Sequence, residues 1–126
     1  MKAISQSGTR SILYAEDDAV IREMIEKVLV RRGYQLTTVD NGEAAWDALQ
    51  VGSFDLLITD NDMPKLTGIE LVTRIRGSHL ALPIILASGS AGYYAGEEFR
   101  HLGFSACLQK PFPLDELLEA TAVALS

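Results

Sequence analysis

Five short runs in this 126-residue chain each end on a side chain with chemistry to offer. Residues 11–15 (SILYA) lead into Glu16, Asp17 and Asp18, and residues 35–39 lead into Asp40. Residues 54–59 lead into Asp60, with Asp62 two places on. Residues 83–87 (PIILA) lead into Ser88, and residues 106–109 into Lys110. If these ends meet, several carboxylates share a space with one hydroxyl and one ammonium. Clustered carboxylates repel one another and do not all stay ionised without compensation. A divalent cation supplies it. Oxygen donors with no histidine or cysteine nearby point to magnesium, with manganese as a substitute. Magnesium keeps open positions that phosphate oxygens complete. Lys110 and Ser88 would hold the remaining phosphoryl oxygens. Asp60, between cation and ammonium, is then placed to attack phosphorus as a covalent nucleophile. Magnesium would neutralise charge developing on the transferring group.

The elements that deliver these residues alternate. Five strands are expected at residues 11–15, 35–39, 54–59, 83–87 and 106–109. The third is apolar on both faces, as a central parallel strand is. The first helix spans residues 19–32, with Val20, Ile21, Met24, Ile25, Val28 and Leu29 at helical spacing. Asp18 caps it, Arg31 and Arg32 suit its C-terminal dipole, and Gly33 stops it. Asp40 with Glu43 has capping-box spacing for a second helix reaching about residue 50, and Thr67 with Glu70 repeats the pattern for a third. A fourth helix is expected over residues 93–102, ended by Gly103. Pro113 suits the first turn of a fifth. Such alternation predicts an α/β fold, a doubly wound parallel sheet with helices on both faces. Sheets of this kind bind ligands beyond the carboxyl ends of their strands, at the switch in strand order.

The totals fit one domain of ordinary globular composition, large enough for a sizeable core. A net charge of -6 repels nucleic acid and anionic membrane over most of the surface. A single cysteine, Cys107, excludes an internal disulfide framework and a cysteine-based zinc cluster. It is expected as a small core residue. Residues 1–10 lack the apolar core of a signal peptide, and no run approaches membrane-spanning length. A cytoplasmic protein is expected, with residues 1–10 a flexible extension and residues 11–126 the domain. The length is compatible with a free-standing domain and with a piece of a longer chain. Arg22, Arg31 and Arg32 read as a solvated helix face, His79 and His101 as isolated residues, and Trp46 and Phe99 as packing.

Four segments carry a specific resemblance. ILYAEDD (residues 12–18), LLITDNDMPKLTG (56–68), ILASGSA (85–91) and QKPF (109–112) resemble the motifs of the receiver domain of two-component response regulators. The likeness covers about residues 10–124. It implies a flavodoxin-like three-layer sandwich with five strands in the order 2-1-3-4-5. Asp60 would be the phosphoacceptor. Glu16, Asp17 and Asp60 would bind magnesium through carboxylates, and Asp62 through its backbone carbonyl. Ser88 would be the switch hydroxyl. Lys110 would bind a phosphoryl oxygen, with the Lys110–Pro111 bond usually cis. The donor would be a sensor histidine kinase or a phosphotransfer protein. The output would be a downstream protein or a fused domain, with a homodimer available through the fourth helix, fifth strand and fifth helix. Direct nucleic-acid binding and membrane binding are not expected, nor turnover of a metabolite.

Three positions bear on how such a site would behave. Cys107 stands where the family often has the switch aromatic, so signal transmission to that face is expected to differ. Tyr93 and Tyr94 are the aromatics near enough in sequence to stand in. Asp62 adds negative charge beside the phosphoryl group and influences water attack, while its companion Ser90 is small and leaves the group open. Two rivals follow from the same residues. One is a degenerate receiver that docks proteins without phosphorylation. The other is a magnesium-dependent phosphohydrolase with Asp62 as general acid, although a lid is missing. A flavin or nucleotide carrier would need a glycine-rich loop after the first strand, where EDD stands.

Overall fold

A computed structural model describes residues 9–126 of the chain. The extension expected at residues 1–10 therefore lies, apart from Thr9 and Arg10, outside the described residues. Five strands form one parallel sheet: β1 (Ser11–Ala15), β2 (Gln35–Val39), β3 (Leu56–Asp60), β4 (Ile84–Ser88) and β5 (Ala106–Gln109). Their order is β2-β1-β3-β4-β5. The helices are α1 (Ala19–Arg31), α2 (Gly42–Val51), α3 (Gly68–Gly77), the single turn α4 (Ala91–Tyr94), a 3-10 helix (Glu97–Leu102) and α5 (Leu114–Ala124).

Alternation along the strands splits the core into two layers. Ile12, Tyr14, Leu56, Ile58, Ile85 and Leu108 pack with Ile25 and Leu29 of α1 and Leu117 of α5. Leu13, Ala15, Leu57 and Ile84 face Ala45 of α2 and Leu71, Val72 and Ile75 of α3. All five residues of β3 are buried, as are all five of β4. A central strand covered on both faces must be apolar throughout, so a carboxylate enters only at its last residue. Asp60 is that residue.

Local signals account for most boundaries. The Asp18 carboxylate accepts from the Val20 and Ile21 amides and starts α1. Thr67 and Glu70 form both bonds of a capping box at α3. Gly33 (φ 95°) ends the chain's exit from α1, and Gly103 (φ 64°) caps the 3-10 helix.

Two expectations are corrected. Asn41, not Asp40, caps α2, its Oδ1 accepting from the Ala44 amide. Asp40 instead accepts from the Asn41 side chain, one residue too early to reach the helix. The continuous fourth helix is absent. Its stretch divides at Gly96 (ψ 175°) into the α4 turn and the 3-10 helix. Glycine is a poor helix former, and Gly92 and Gly96 fall within six residues of each other. Arg76 fastens this irregular stretch to α3 by donating from Nε to the Leu102 carbonyl at 2.7 Å and from Nη2 to the Gly103 carbonyl at 3.4 Å.

Candidate functional site

The register sets the site. Asp60 pairs with Ala87, and Ser88 with Gln109, so the ends of β3, β4 and β5 reach the same rim. The Lys110 amide donates to the Ser88 carbonyl, and the Glu16 amide to the Val39 carbonyl, extending the ladder one residue on each side. Glu16, Asp60 and Ser88 are each at most 3% exposed. The Lys110–Pro111 bond is cis, as the resemblance implies.

Lys110 Nζ donates to Asp60 Oδ1 at 2.9 Å and lies 3.7 Å from Glu16 Oε1. One carboxylate oxygen each from Glu16, Asp17 and Asp60 falls within 4.8 Å of the others. Asp17 is exposed while its neighbours are buried. Glu16 is held on both sides. Its Oε2 accepts from the Asp18 amide, and its carbonyl accepts from Arg22 Nη1 at 2.9 Å. Arg22 therefore braces the acidic turn rather than lying on a solvated face. Nothing in its helical spacing signals this, because the contact depends on the exit angle of α1.

Electrostatics follow from burial. Desolvation pushes the Asp60 carboxyl above its ordinary value; the Lys110 bond and charge oppose this, and Asp62 and Asp17 add to it. Desolvation likewise raises Glu16, opposed by the Asp18 amide and reinforced by Asp60. Burial works against the Lys110 ammonium, yet the hydrogen bond and charge of Asp60, then the charge of Glu16, hold its pKa above normal. The Tyr14 phenol is raised by burial first and by Glu16 and Asp60 next. One ammonium thus faces two buried acids and a third at the surface. That excess of negative charge, presented by oxygen donors alone, fits a hard divalent cation of the magnesium type.

The remaining named residues lie around this centre. Asp62 and Ser90 are exposed, on the loops after β3 and β4. Ser88 Oγ accepts from the Ser90 amide at 2.9 Å. Cys107 is partly buried rather than fully so as expected, and burial raises its thiol pKa. It lines a cleft of about 400 Å³ with Tyr94, Phe99 and Phe104.

Two residues went unremarked in the sequence. Asn61 is buried; its Oδ1 accepts from the Ile69 amide at 2.9 Å, and its Nδ2 donates to the Tyr94 hydroxyl at 3.2 Å. Gln109 donates from Nε2 to the Gly89 carbonyl at 2.6 Å and accepts from the Ala91 amide, tying the loop after β4 to β5. A polar residue directly after a buried strand is the signal that could have singled out Asn61.

A family model described as the response regulator receiver domain matches residues 12–122. The response regulator receiver protein CpdR of Brucella abortus is 37% identical over 109 residues, covering 86% of this chain and 91% of that protein. The DNA-binding transcriptional regulator NtrC of Rhizobium meliloti is 32% identical over 116 residues, covering 92% of this chain but 24% of its own length. The chain thus spans about a quarter of that relative. Among solved structures, response regulator TrrA of Thermotoga maritima, in complex with Mg(2+)-BeF, is 31% identical with a TM-score of 0.82, covering 92% of this chain and 99% of that one. A match reaching from the first strand into the last helix, on a sheet of this strand order, makes the assignment: the chain belongs to the response regulator receiver domains of two-component signalling.

Proposed function

We propose that this domain is a phosphorylation-controlled switch whose acceptor is Asp60. The observation that carries the reading is the Lys110–Asp60 contact at 2.9 Å, made at a buried strand end with Glu16 and Asp17 oxygens beside it. An Asp60 oxygen attacks the phosphorus of a phosphohistidine on a sensor histidine kinase or phosphotransfer protein. The new O–P bond forms as the P–N bond breaks. The imidazole keeps the electron pair and takes a proton from solvent.

Lys110 follows the phosphoryl oxygens and replaces its bond to the acceptor by one to the transferred group. Ser88, buried at the end of β4, lies on the same rim and binds another oxygen. Glu16, Asp17, Asp60 and the Asp62 carbonyl hold magnesium, or manganese in its place. When bound, the ion neutralises charge on the acceptor and on the group in transfer. TrrA of Thermotoga maritima, solved in complex with Mg(2+)-BeF, supports carrying this chemistry over. The Asp62 side chain and small Ser90 flank the adduct and set how fast water removes it.

An apolar cleft of about 410 Å³, lined by Ile21, Met24, Ile25, Pro111, Phe112 and Leu114, borders Lys110. It gives the donor protein a seat beside the acceptor. The acyl phosphate then changes the face made by α4, β5 and α5. That face passes the signal to a downstream protein, a fused output domain or a second copy of the chain. The domain turns over no metabolite, acts in the cytoplasm and itself binds neither nucleic acid nor membrane. None of its helices among the described residues is long and apolar enough to cross a bilayer.

Incubation with a small acyl phosphate donor, with and without magnesium, tests the reading by intact mass. One phosphoryl group is expected, dependent on magnesium and lost in Asp60→Asn. Release of free phosphate at a steady high rate would favour a phosphohydrolase. Inactivity toward every donor would favour a docking module.

A further inference from the structure

Asn61 and Tyr94 close a circuit that begins and ends at the acceptor. Asn61 follows Asp60 in the chain and donates to the Tyr94 hydroxyl. The Tyr94 amide bonds the Ser90 carbonyl at 3.3 Å. The Ser90 amide bonds Ser88 Oγ, and Ser88 stands on the same rim as Asp60. Four residues thus link the strand-three end to the strand-four end through the α4 turn. Both anchors are buried, Asn61 at 8% and Ser88 at 2% exposure. Gln109 holds the base of the loop through Gly89 and Ala91, while the Tyr94 side chain has a single hydrogen bond among the described residues, the one from Asn61.

The ring has somewhere to go. It packs edge-on against Tyr93 and Phe99, with centroids 5.1 Å away in each case. It also borders the cleft of about 400 Å³ that Cys107 lines from the other side. A larger side chain in place of Cys107 would fill that space. The Tyr93 amide bonds the Ser90 carbonyl too, at 3.0 Å, but its side chain is 59% exposed and has no counterpart to the Asn61 bond among the described residues.

We propose that Tyr94 is a positioning residue that carries the state of Asp60 to the surface by leaving Asn61 and closing over Cys107. A phosphoryl group on Asp60 offers the Ser88 hydroxyl a charged acceptor, a stronger partner than a neutral one. Turning the hydroxyl to donate to that group swings Oγ away from the Ser90 amide it accepts from, and the α4 turn loosens at its cap. The Tyr94–Asn61 bond is a single, partly solvated neutral contact of modest net worth. It breaks, and the ring drops into the cleft beside Phe99 and Phe104. The surface from Ala91 to Gly103 is remodelled as a result. This inference rests on Asp60 accepting a phosphoryl group.

Cys107, the chain's one thiol, reports the event directly. The full chain is treated with a small acyl phosphate donor and magnesium, and its mass is read first. The rate of Cys107 alkylation by iodoacetamide is then compared with and without the adduct. The adduct should slow alkylation roughly fivefold, the factor expected when one ordinary hydrogen bond is exchanged. In Tyr94→Phe the ring keeps its shape but loses its latch. Its thiol should be shielded before phosphorylation and indifferent to it, while the phosphoryl group is still accepted. In Asn61→Ser the same loss of response is expected, which separates the latch from a general effect of removing the phenol. An adduct-bearing wild type whose thiol reacts at the unmodified rate overturns the inference, as does a Tyr94→Phe protein that responds like wild type. A protein that gains no phosphoryl mass overturns the proposed acceptor itself, and this inference with it.

Discussion

Asp60 and Lys110 touch, yet their substitutions should move stability in opposite directions. Asp60 is buried beside two other carboxylates, and desolvation raises its pKa despite the lysine. Its ionised form is therefore a cost to the metal-free fold. Asp60→Asn should raise metal-free stability, seen as a higher unfolding midpoint. Lys110→Ala leaves two buried acids without their ammonium, and should lower stability by about 1–3 kcal/mol. It should also slow phosphoryl uptake roughly 100-fold, the scale seen when one donor to a developing charge is removed. Thermal melts and a mass time course check these. The residues at this centre were legible in the sequence because each ends an apolar run. Tyr14, Arg22, Asn61 and Gln109 were not. Their contacts depend on angles between elements, which spacing along the chain does not record.

The elements matter through their ends. Gly68 opens α3 against the end of β3. A Cβ there would lie 2.6 Å from the Asp60 carbonyl oxygen and 2.8 Å from Asn61 Cα. Both are backbone atoms that cannot swing aside. Gly68→Ala should therefore cost about 1–3 kcal/mol and, on the proposed function, slow phosphorylation as well, by shifting the backbone that carries Asp60. Thr67→Ala removes the capping box one residue earlier. It should cost about 1 kcal/mol with much less effect on phosphoryl uptake, since Thr67 touches the helix and not the strand. Denaturant melts beside donor kinetics would separate the two. The caps at Asp18 and Thr67 were readable because a side chain and its amide lie two or three residues apart. The cap of α2 was misassigned by one residue, since Asp40 and Asn41 are equally good capping types. The broken fourth helix was missed because the tyrosines and Phe99 fit a helical stripe. Gly96 inside that stripe, with Gly92 just before it, weighs more than the stripe does.

For the whole molecule, strand order puts acids from β1 and β3 next to a lysine from the end of β5. The fold was readable from five apolar runs alternating with helical periods, and the sheet's order from the resemblance of four motifs. The two core layers bury Ile85 and Leu71 completely. Either to Ala should cost about 2–5 kcal/mol and unfold site and sheet together, as one cooperative unit. Magnesium should act on the same equilibrium. A ligand bound by the folded state alone raises stability by about 2.7 kcal/mol at a hundredfold excess over its Kd. Asp17 is exposed, so Asp17→Asn should leave the metal-free melt nearly unchanged and remove most of the magnesium increment. The central claim is that one carboxylate, at the end of β3, takes the phosphoryl group. Borohydride reduction of the phosphorylated chain, followed by peptide mapping, tests it most directly, because an aspartyl phosphate is reduced to homoserine where it formed. The account predicts homoserine at position 60 alone, requiring magnesium and absent from Asp60→Asn. Homoserine at position 17 or 62, or a phosphoryl group that resists reduction because it sits on Ser88, would contradict it.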